Sequence, residues 1–154
     1  MQTPSPPHAA RAASFARWVC GIVVAAGLEA AVAQTPPDGG NPLLRCELRY
    51  VSTTMQVEAR PVADPYTVAA QDVDTRFRFK AVVLGTPERV DSVSLYAYDM
   101  AVDNAPVLIH EVVYRPPFAA GTAVPALTGW NHVYSSRLGR ELVYGCALGT
   151  EGAR

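Results

Sequence analysis

Two histidines and two methionines have the right chemistry to bind a soft metal ion: His110, His132, Met55 and Met100. Imidazole nitrogen together with thioether sulfur suits Cu(I). No two of the four lie within five positions of each other, so such a site would depend wholly on tertiary contacts. Core methionines and a half-exposed strand histidine explain the same residues more simply. We therefore predict no cofactor and keep a copper-handling domain as the alternative.

Residue types used in nucleophilic catalysis are present, but not in a catalytic motif. The chain has no Gly-x-Ser-x-Gly sequence, and Ser135-Ser136 follows Tyr134 in a predicted hairpin without a catalytic signature around it. His110 and Glu111 are neighbours on a predicted strand, which places their side chains on opposite faces. With His132 as the other histidine, there is little choice of general base. We predict that the protein is not an enzyme, and a small hydrolase is the second alternative.

A stripe of basic residues is the strongest charged feature of the sequence. Arg76, Arg78 and Lys80 alternate along a predicted strand, so that their like charges share one face and focus a local positive field. Such a stripe could meet an acidic partner or an anionic envelope polymer. Neighbouring acidic residues, and the use of charges to protect sheet edges, explain it more simply as a structural feature.

A short loop that is both polar and aromatic is the second candidate binding feature. Trp130, Asn131 and His132 place an indole beside two polar side chains, a mixture common at protein interfaces and on sugar-stacking platforms. Tyr96 and Tyr98 share one face of a predicted strand, and we expect that face to pack against a second sheet as core. The sequence therefore predicts binding through the loop, with the basic stripe as a charged patch.

The N-terminal segment has the three parts of a secretory signal peptide. Residues 1–33 combine a start that carries Arg11 and Arg17, an apolar run at 18–28 and an Ala-x-Ala ending at Ala33. The apolar run has eleven residues, whereas a membrane-spanning helix needs about 20. We predict cleavage after Ala33, a periplasmic or secreted protein, and no permanent membrane span.

Removal of this segment leaves two cysteines, Cys46 and Cys146. An even pair in an oxidising compartment predicts a disulfide, which would enclose nearly the whole domain and join the first strand to the last. A metal or redox pair is the competing interpretation. The chain has no C-x-x-C motif and no third cysteine after the leader, which argues against it.

The composition excludes two classes of protein. Hydrophobic residues make up 49% of the chain and charged residues 18%, which is typical of a chain that folds around a core and not of a disordered one. The 13 basic and 14 acidic residues give a net charge of −1, so there is no basic excess to bind nucleic acid. The length left after the leader suits one domain.

Alternation of apolar and polar residues indicates that this domain is built from strands. No stretch shows a sustained period of 3.6, and a period of two predicts seven strands, at 46–50, 55–59, 73–84, 90–100, 107–114, 132–135 and 141–148. The strand at 107–114 is apolar on both faces apart from His110 and Glu111, which predicts a central strand covered on both sides.

Proline, glycine and small residues mark the segments between and around these strands. The predicted parts are a flexible lead-in at 34–42, a single domain at 43–150, a long loop at 118–129 and a short tail at 151–154. Strands at intervals of roughly 8 to 12 residues favour two packed antiparallel sheets over other all-β arrangements.

The sequence around the second cysteine resembles one feature of immunoglobulin domains. Tyr144-Gly145-Cys146 places a tyrosine two residues before that cysteine, as in the tyrosine corner of the family. In that family a tryptophan follows the first cysteine, whereas here Trp130 precedes the second. We therefore use the resemblance for architecture alone. The predicted fold is an all-β antiparallel β-sandwich of immunoglobulin-like architecture, with about seven strands and one disulfide; a small β-barrel is the runner-up.

The absence of a catalytic motif and of a basic excess favours a binding function over catalysis or nucleic-acid binding. An exported, disulfide-containing β domain with a polar and aromatic loop is typical of a binding or accessory module. We predict that it acts without catalysis and that its partner is another envelope protein.

Overall fold

The computed structural model describes residues 40–102, 105–136 and 139–152. Parts of the chain for which predictions were made lie outside these residues, namely the signal peptide at 1–33, residues 34–39 of the lead-in and residues 153–154 of the tail.

Nine strands run through the described residues, and one short 3₁₀ helix, Pro65–Thr67, lies between the third and the fourth. In chain order the strands are β1 (Pro42–Tyr50), β2 (Thr53–Ala59), β3 (Pro61–Val62), β4 (Gln71–Val73), β5 (Phe77–Thr86), β6 (Arg89–Val102), β7 (Ala105–Tyr114), β8 (Asn131–Ser135) and β9 (Arg140–Thr150). They form a four-stranded sheet in the order β2-β1-β9-β8 and a five-stranded sheet in the order β3-β5-β6-β7, with β4 also paired to β5. Only the β3–β5 pair is parallel among these described strands. The two sheets pack together, which confirms the predicted β-sandwich over the barrel.

The core lies between the two sheets and follows the predicted alternation. Leu44, Cys46 and Leu48 point inward from β1, and Phe77 and Phe79 point inward from β5, all with no exposed surface. The other two central strands contribute in the same way, through Val93, Leu95, Leu142 and Tyr144. A slip of one residue would turn such a set toward solvent, so this alternation specifies the register of each strand.

All seven predicted strands are present, but the one predicted at 73–84 is two strands joined by a turn. β4 ends at Val73 and β5 begins at Phe77, and these two residues are direct partners. Between them Asp74 has a left-handed backbone (φ 56°), and its carboxylate accepts a hydrogen bond from the Thr75 amide at 2.7 Å. Aspartate tolerates this conformation better than most residues. Apolar and polar residues keep alternating across this turn, so the sequence pattern did not reveal the turn. Arg76 lies in the turn and not on a strand.

The prediction of a central strand at 107–114 is wrong. In the described part of the chain β7 pairs only with β6, at the edge of the five-stranded sheet. Several of its apolar side chains face solvent: Val107 and Leu108 are each 46% exposed and Val113 is 39% exposed. A run of apolar residues reports how hydrophobic a strand is and not how many neighbours it has, so the pattern did not distinguish an edge strand from a central one.

The predicted disulfide is confirmed. Cys46 and Cys146 are direct partners in the register of β1 and β9, with their Cα atoms 4.0 Å apart and both residues fully buried. The bond joins the first strand to the last, as predicted. Because it lies within one sheet and not between the two, the likeness to immunoglobulin domains extends to the sandwich architecture only.

Candidate functional site

Three side chains that alternate along the chain share the outer face of the four-stranded sheet. In the register of β8 and β9, His132 is opposite Val143 and Tyr134 is opposite Glu141, while Trp130 lies immediately before β8. Trp130 is 38% exposed and Tyr134 is 60% exposed. We call the surface formed by Trp130, His132 and Tyr134, together with the neighbouring Arg49, the aromatic face.

The indole of Trp130 rests on a glycine of β9. A Cβ atom on Gly145 would lie 2.9 Å from Cε3 of Trp130 and 2.6 Å from Cβ of Pro125, so only glycine allows this close approach. The guanidinium carbon of Arg49 stands 4.1 Å from the centroid of the same ring, a cation–π contact. The Nε–H of Arg49 donates to Glu47 at 2.7 Å, which orients the guanidinium. Trp130 therefore packs against a glycine of β9 and an arginine of β1.

The loop before Trp130 is irregular, as predicted, but it is tied to β9. Residues 115–130, all of them described, form no strand. The amides of Leu127 and Thr128 donate to the carbonyl of Cys146 at 2.9 and 3.3 Å, and the Cys146 amide donates to the Thr128 hydroxyl at 2.8 Å. Leu127 is buried in the core. These bonds fix the loop against the edge of β9, next to the first residue of β8.

Asn131, predicted as a binding residue, helps to shape the loop instead of facing outward with its two neighbours. Its side-chain amide donates to the carbonyls of Thr128 and Gly129 at 3.3 and 3.4 Å. In the strand register it is the partner of Tyr144, whose side chain points into the core. Of the predicted loop triad, the structure therefore brings Trp130 and His132 to one face and turns Asn131 away from it.

A carboxylate links the other two residues of the aromatic face. Nδ1 of His132 lies 2.7 Å from Oε1 of Glu141. Hydrogen bonds from Tyr134 and then from His132 lower the pKa of Glu141 below its usual value, and the bond to Glu141 raises the pKa of Tyr134. Sequence reasoning missed Tyr134 and Glu141. The signal for Tyr134 was present, since residues 130, 132 and 134 must share a face in a strand.

This link predicts a measurable pH effect. Because the folded-state pKa of Glu141 is lowered, its contribution to stability is present above the ordinary glutamate pKa and is lost as the pH falls through the lowered value. Tyr134→Phe removes the hydrogen bond and should move the pKa of Glu141 upward, as followed by carbon NMR titration of the side-chain carboxyl. Tyr66→Phe, at a tyrosine 92% exposed and remote from Glu141, should leave that titration unchanged. Identical Glu141 titrations in wild type and Tyr134→Phe would contradict the assigned bond.

The predicted basic stripe is not one surface, because its first member turns into the sandwich. Nε of Arg76 lies 3.3 Å from Oδ1 of Asp99 on β6, an ion pair without a well-directed hydrogen bond from that nitrogen. An Nη2–H of Arg76 donates to the hydroxyl of Ser135 on β8 at 3.2 Å, and that hydroxyl donates to Asp99. Asp99 and Ser135 are buried, so this network joins the two sheets. Ser135 is the last residue of β8, where the predicted strand also ends, and it is fully buried.

The other two members of the stripe lie on β5 and have partners of their own. Nε of Arg78 forms an ion pair with Asp72 on the neighbouring β4. The ammonium of Lys80 donates to the carbonyl of Pro65 at 3.2 Å. Both belong to the five-stranded sheet, whereas the aromatic face belongs to the four-stranded sheet. The two binding features predicted from the sequence are therefore separate surfaces.

The expectation that Tyr96 and Tyr98 form core is wrong. Leu95 and Ala97, which alternate with them along β6, are the buried residues, and both tyrosines remain partly exposed on the opposite face. There they pair across the strands with Lys80 and Arg78. Partial burial is the main cause that raises the pKa of Tyr98. Tyrosine suits either face of a sheet, so the sequence did not decide between them.

The four residues considered for copper are not brought together. Nε2 of His110 lies 2.8 Å from the hydroxyl of the fully buried Tyr144, between the sheets, and burial raises the pKa of that tyrosine. His132 is on the aromatic face, Met100 is buried on β6, and Met55 is on β2 at the far edge of the four-stranded sheet. Within residues 40–102, 105–136 and 139–152, no group of three or more His, Cys, Asp or Glu residues could hold a metal ion.

The search for membrane-spanning helices among the described residues and the comparisons with known proteins both gave no match. No helix among the described residues is long and apolar enough to cross a membrane. Comparison with protein-family models, with curated proteins and with solved structures finds no match to this chain. The aromatic face, defined by its geometry, is thus the candidate site from which a function is argued.

Proposed function

We propose that the protein is a periplasmic or secreted binding module that recognises another envelope protein through the aromatic face and acts without catalysis. The observation that carries this proposal is the presence of Trp130, Tyr134 and Arg49 on one face of one sheet. Tryptophan, tyrosine and arginine are the residue types most enriched among those that dominate binding energy at protein interfaces.

The rigidity of this surface also supports a binding role. Trp130 packs against Gly145 and Arg49, and Arg49 is oriented by Glu47, whose second oxygen accepts a hydrogen bond from Gln56 at 3.1 Å. Side chains that are already ordered lose little conformational entropy when a partner binds. An ordered indole beside an ordered guanidinium therefore favours recognition of a protein surface.

The proposed location rests on the N-terminal sequence and on the disulfide. Residues 1–33 have the features of a signal peptide, although they lie outside the described part of the structure. The Cys46–Cys146 bond is of the kind that persists in oxidising compartments such as the periplasm. An envelope protein is then the class of partner that the module would meet.

Site-specific photocrosslinking in the producing cells tests the proposal. A photoreactive phenylalanine analogue at Tyr134 should give an adduct with one envelope protein, because that position lies within the aromatic face. The same analogue at Tyr66, which is 92% exposed on the segment beside the five-stranded sheet, is the matched control and should not give that adduct. Equal adducts from the two positions would show that the aromatic face has no special role.

Truncation of the indole measures its contribution once the crosslinked partner is purified. Trp130→Ala should weaken binding by about 2 kcal/mol, roughly thirtyfold in Kd, as calorimetry or interferometry would measure. Tyr66→Ala, at a tyrosine 92% exposed on the short 3₁₀ helix beside the five-stranded sheet, is the control and should change the Kd little. An unchanged Kd for Trp130→Ala, with an unchanged melting temperature, would overturn the proposal.

A further inference from the structure

A slot opens at one end of the four-stranded sheet, where β1 and β9 part. The ladder between these two strands ends at Arg49 and Val143, because β1 then turns into β2 while the first residues of β9 pair with β8. The slot has a volume of about 310 Å³, at the lower end of the range for small-molecule sites, which is roughly 300 to 1,000 Å³. The residues that line it include Arg49, Val51, Arg140, Glu141 and Val143.

The backbone of Glu141 contributes a donor and an acceptor to this slot. In an antiparallel sheet the N–H and C=O of one residue point to the same neighbouring strand, and successive residues alternate between the two neighbours. The amide and the carbonyl of Cys146 both bond to the loop on the β8 side. The register along β9 is unbroken, so Val143 and Glu141 direct these groups the other way, toward β1. Val143 meets Arg49 there, whereas Glu141 lies beyond the last pair and its N–H and C=O face the slot.

Two arginines line the slot, and the carboxylate that lines it is turned toward β8. The side chain of Glu141 bonds to His132 and Tyr134, both on β8, which is the side away from β1. Arg49 is paired with a carboxylate of its own strand. Arg140 is exposed, and no carboxylate of the described residues forms an ion pair with it. Arg140 therefore brings to the slot a guanidinium that is available to a ligand.

We propose that the slot binds a carboxylate group, with the guanidinium of Arg140 and the backbone N–H of Glu141 as donors. The planar fork of arginine matches the two oxygens of a carboxylate, and a backbone N–H is the other donor commonly used to bind this group. The C=O of Glu141 is placed to accept from an N–H of the same ligand, and Val51 and Val143 offer apolar surface to its carbon atoms. The C-terminal residue of a protein chain carries all of these groups, and a free organic acid carries the carboxylate alone.

The carboxylate site borders the aromatic face, since Arg49 belongs to both. A carboxylate at the C-terminus of an envelope partner would therefore be bound beside the surface that carries Trp130. A free organic acid is the other source of the same group. The carboxylate site goes beyond the proposed function and stands without it, because carboxylate binding is measured on this protein alone, whereas the proposed function is tested by crosslinking to a partner.

NMR titration of the protein purified from the producing cells, at constant ionic strength, tests the site with three small probes. N-acetylalanine has a carboxylate, a peptide N–H and a methyl group, and it should shift the amide resonance of Glu141 and the methyl resonances of Val51 and Val143 with a Kd on the order of 1 mM. N-acetylalanine amide is the uncharged control and should not shift them. Acetate separates the two sources: a Kd about tenfold weaker indicates the C-terminus of a chain, and an equal Kd indicates a free organic acid.

Removal of one guanidinium tests the assigned donor. Arg140→Gln should weaken the binding of N-acetylalanine about tenfold or more. Arg89→Gln, at an exposed arginine of the five-stranded sheet that is paired with Asp91, is the matched control and should leave the Kd unchanged. The proposal is overturned if N-acetylalanine shifts none of these resonances, if the uncharged amide shifts them equally, or if Arg140→Gln binds as tightly as wild type. The comparison of the two probes on wild type decides the matter even where Arg140→Gln does not fold.

Discussion

Replacing both Cys46 and Cys146 by alanine is expected to lower the free energy of unfolding by about 4 to 5 kcal/mol. The bond closes a loop across a sequence separation of 100 residues, and the chain-entropy model assigns a loop of that length a stabilisation of about 4.7 kcal/mol. Small domains have only about 5 to 15 kcal/mol of total stability, so this loss would bring the protein close to unfolding at physiological temperature. Urea unfolding of the oxidised wild type and the double variant measures the difference.

A reducing agent provides the control for this prediction. It should lower the unfolding midpoint of wild type to near that of the double variant and leave the variant itself unchanged. Thiol alkylation of the unreduced protein should label neither cysteine, because both sulfur atoms are in the bond and both residues are fully buried. Equal midpoints for oxidised wild type and the double variant would show that the bond contributes little.

Asp99→Ala is expected to lower the free energy of unfolding by about 3 to 5 kcal/mol, the second-largest effect. The substitution leaves the guanidinium of Arg76, whose side chain is 16% exposed, without its carboxylate partner, and it leaves the hydroxyl of Ser135 without its acceptor. Removing one member of a buried ion pair costs far more than the pair itself contributes, because a charge is left uncompensated in the interior. Urea unfolding again measures the loss.

Asp72→Ala is the matched control for the buried pair. It breaks the ion pair with Arg78, whose side chain is 38% exposed while that of Asp72 is 66% exposed, and exposed pairs contribute less than about 1 kcal/mol. Replacing both Arg76 and Asp99 by leucine should recover most of the stability lost in Asp99→Ala, since apolar residues can substitute for a buried pair. If Asp99→Ala and Asp72→Ala cost the same, then burial does not distinguish these two ion pairs.

The strands and the disulfide could be predicted because each depends on local pattern or on compartment. The alternation in 73–84 identified Val73, Phe77 and Phe79 as one inward face, and all three are buried. It did not reveal the turn at Asp74, since the inward residues keep their spacing across it. Cys46 and Cys146 were paired because two cysteines in an oxidising compartment leave one intramolecular choice.

The candidate site could be predicted only in part. Trp130 and His132 were identified from their residue types, and the structure places both on the aromatic face with Tyr134. Arg49 and Gly145 are far from Trp130 in sequence, so no local pattern could show that they hold its ring. A basic residue in a strand pattern can equally face solvent or a buried carboxylate, and for this reason Arg76 was misplaced on the surface.

The sequence by itself determined the all-β class, the seven principal strands, the alternation of two faces along each strand and the cysteine pair, because side-chain periodicity is a property of consecutive residues. Only the tertiary structure decided which strands are neighbours, and with them the edge position of β7 and the outward direction of Tyr96 and Tyr98. It also decided that Arg76 meets Asp99 and that Trp130 rests on Gly145. Strand order and contacts of this kind join residues distant in the chain, and the period of a single strand carries no information about its neighbours.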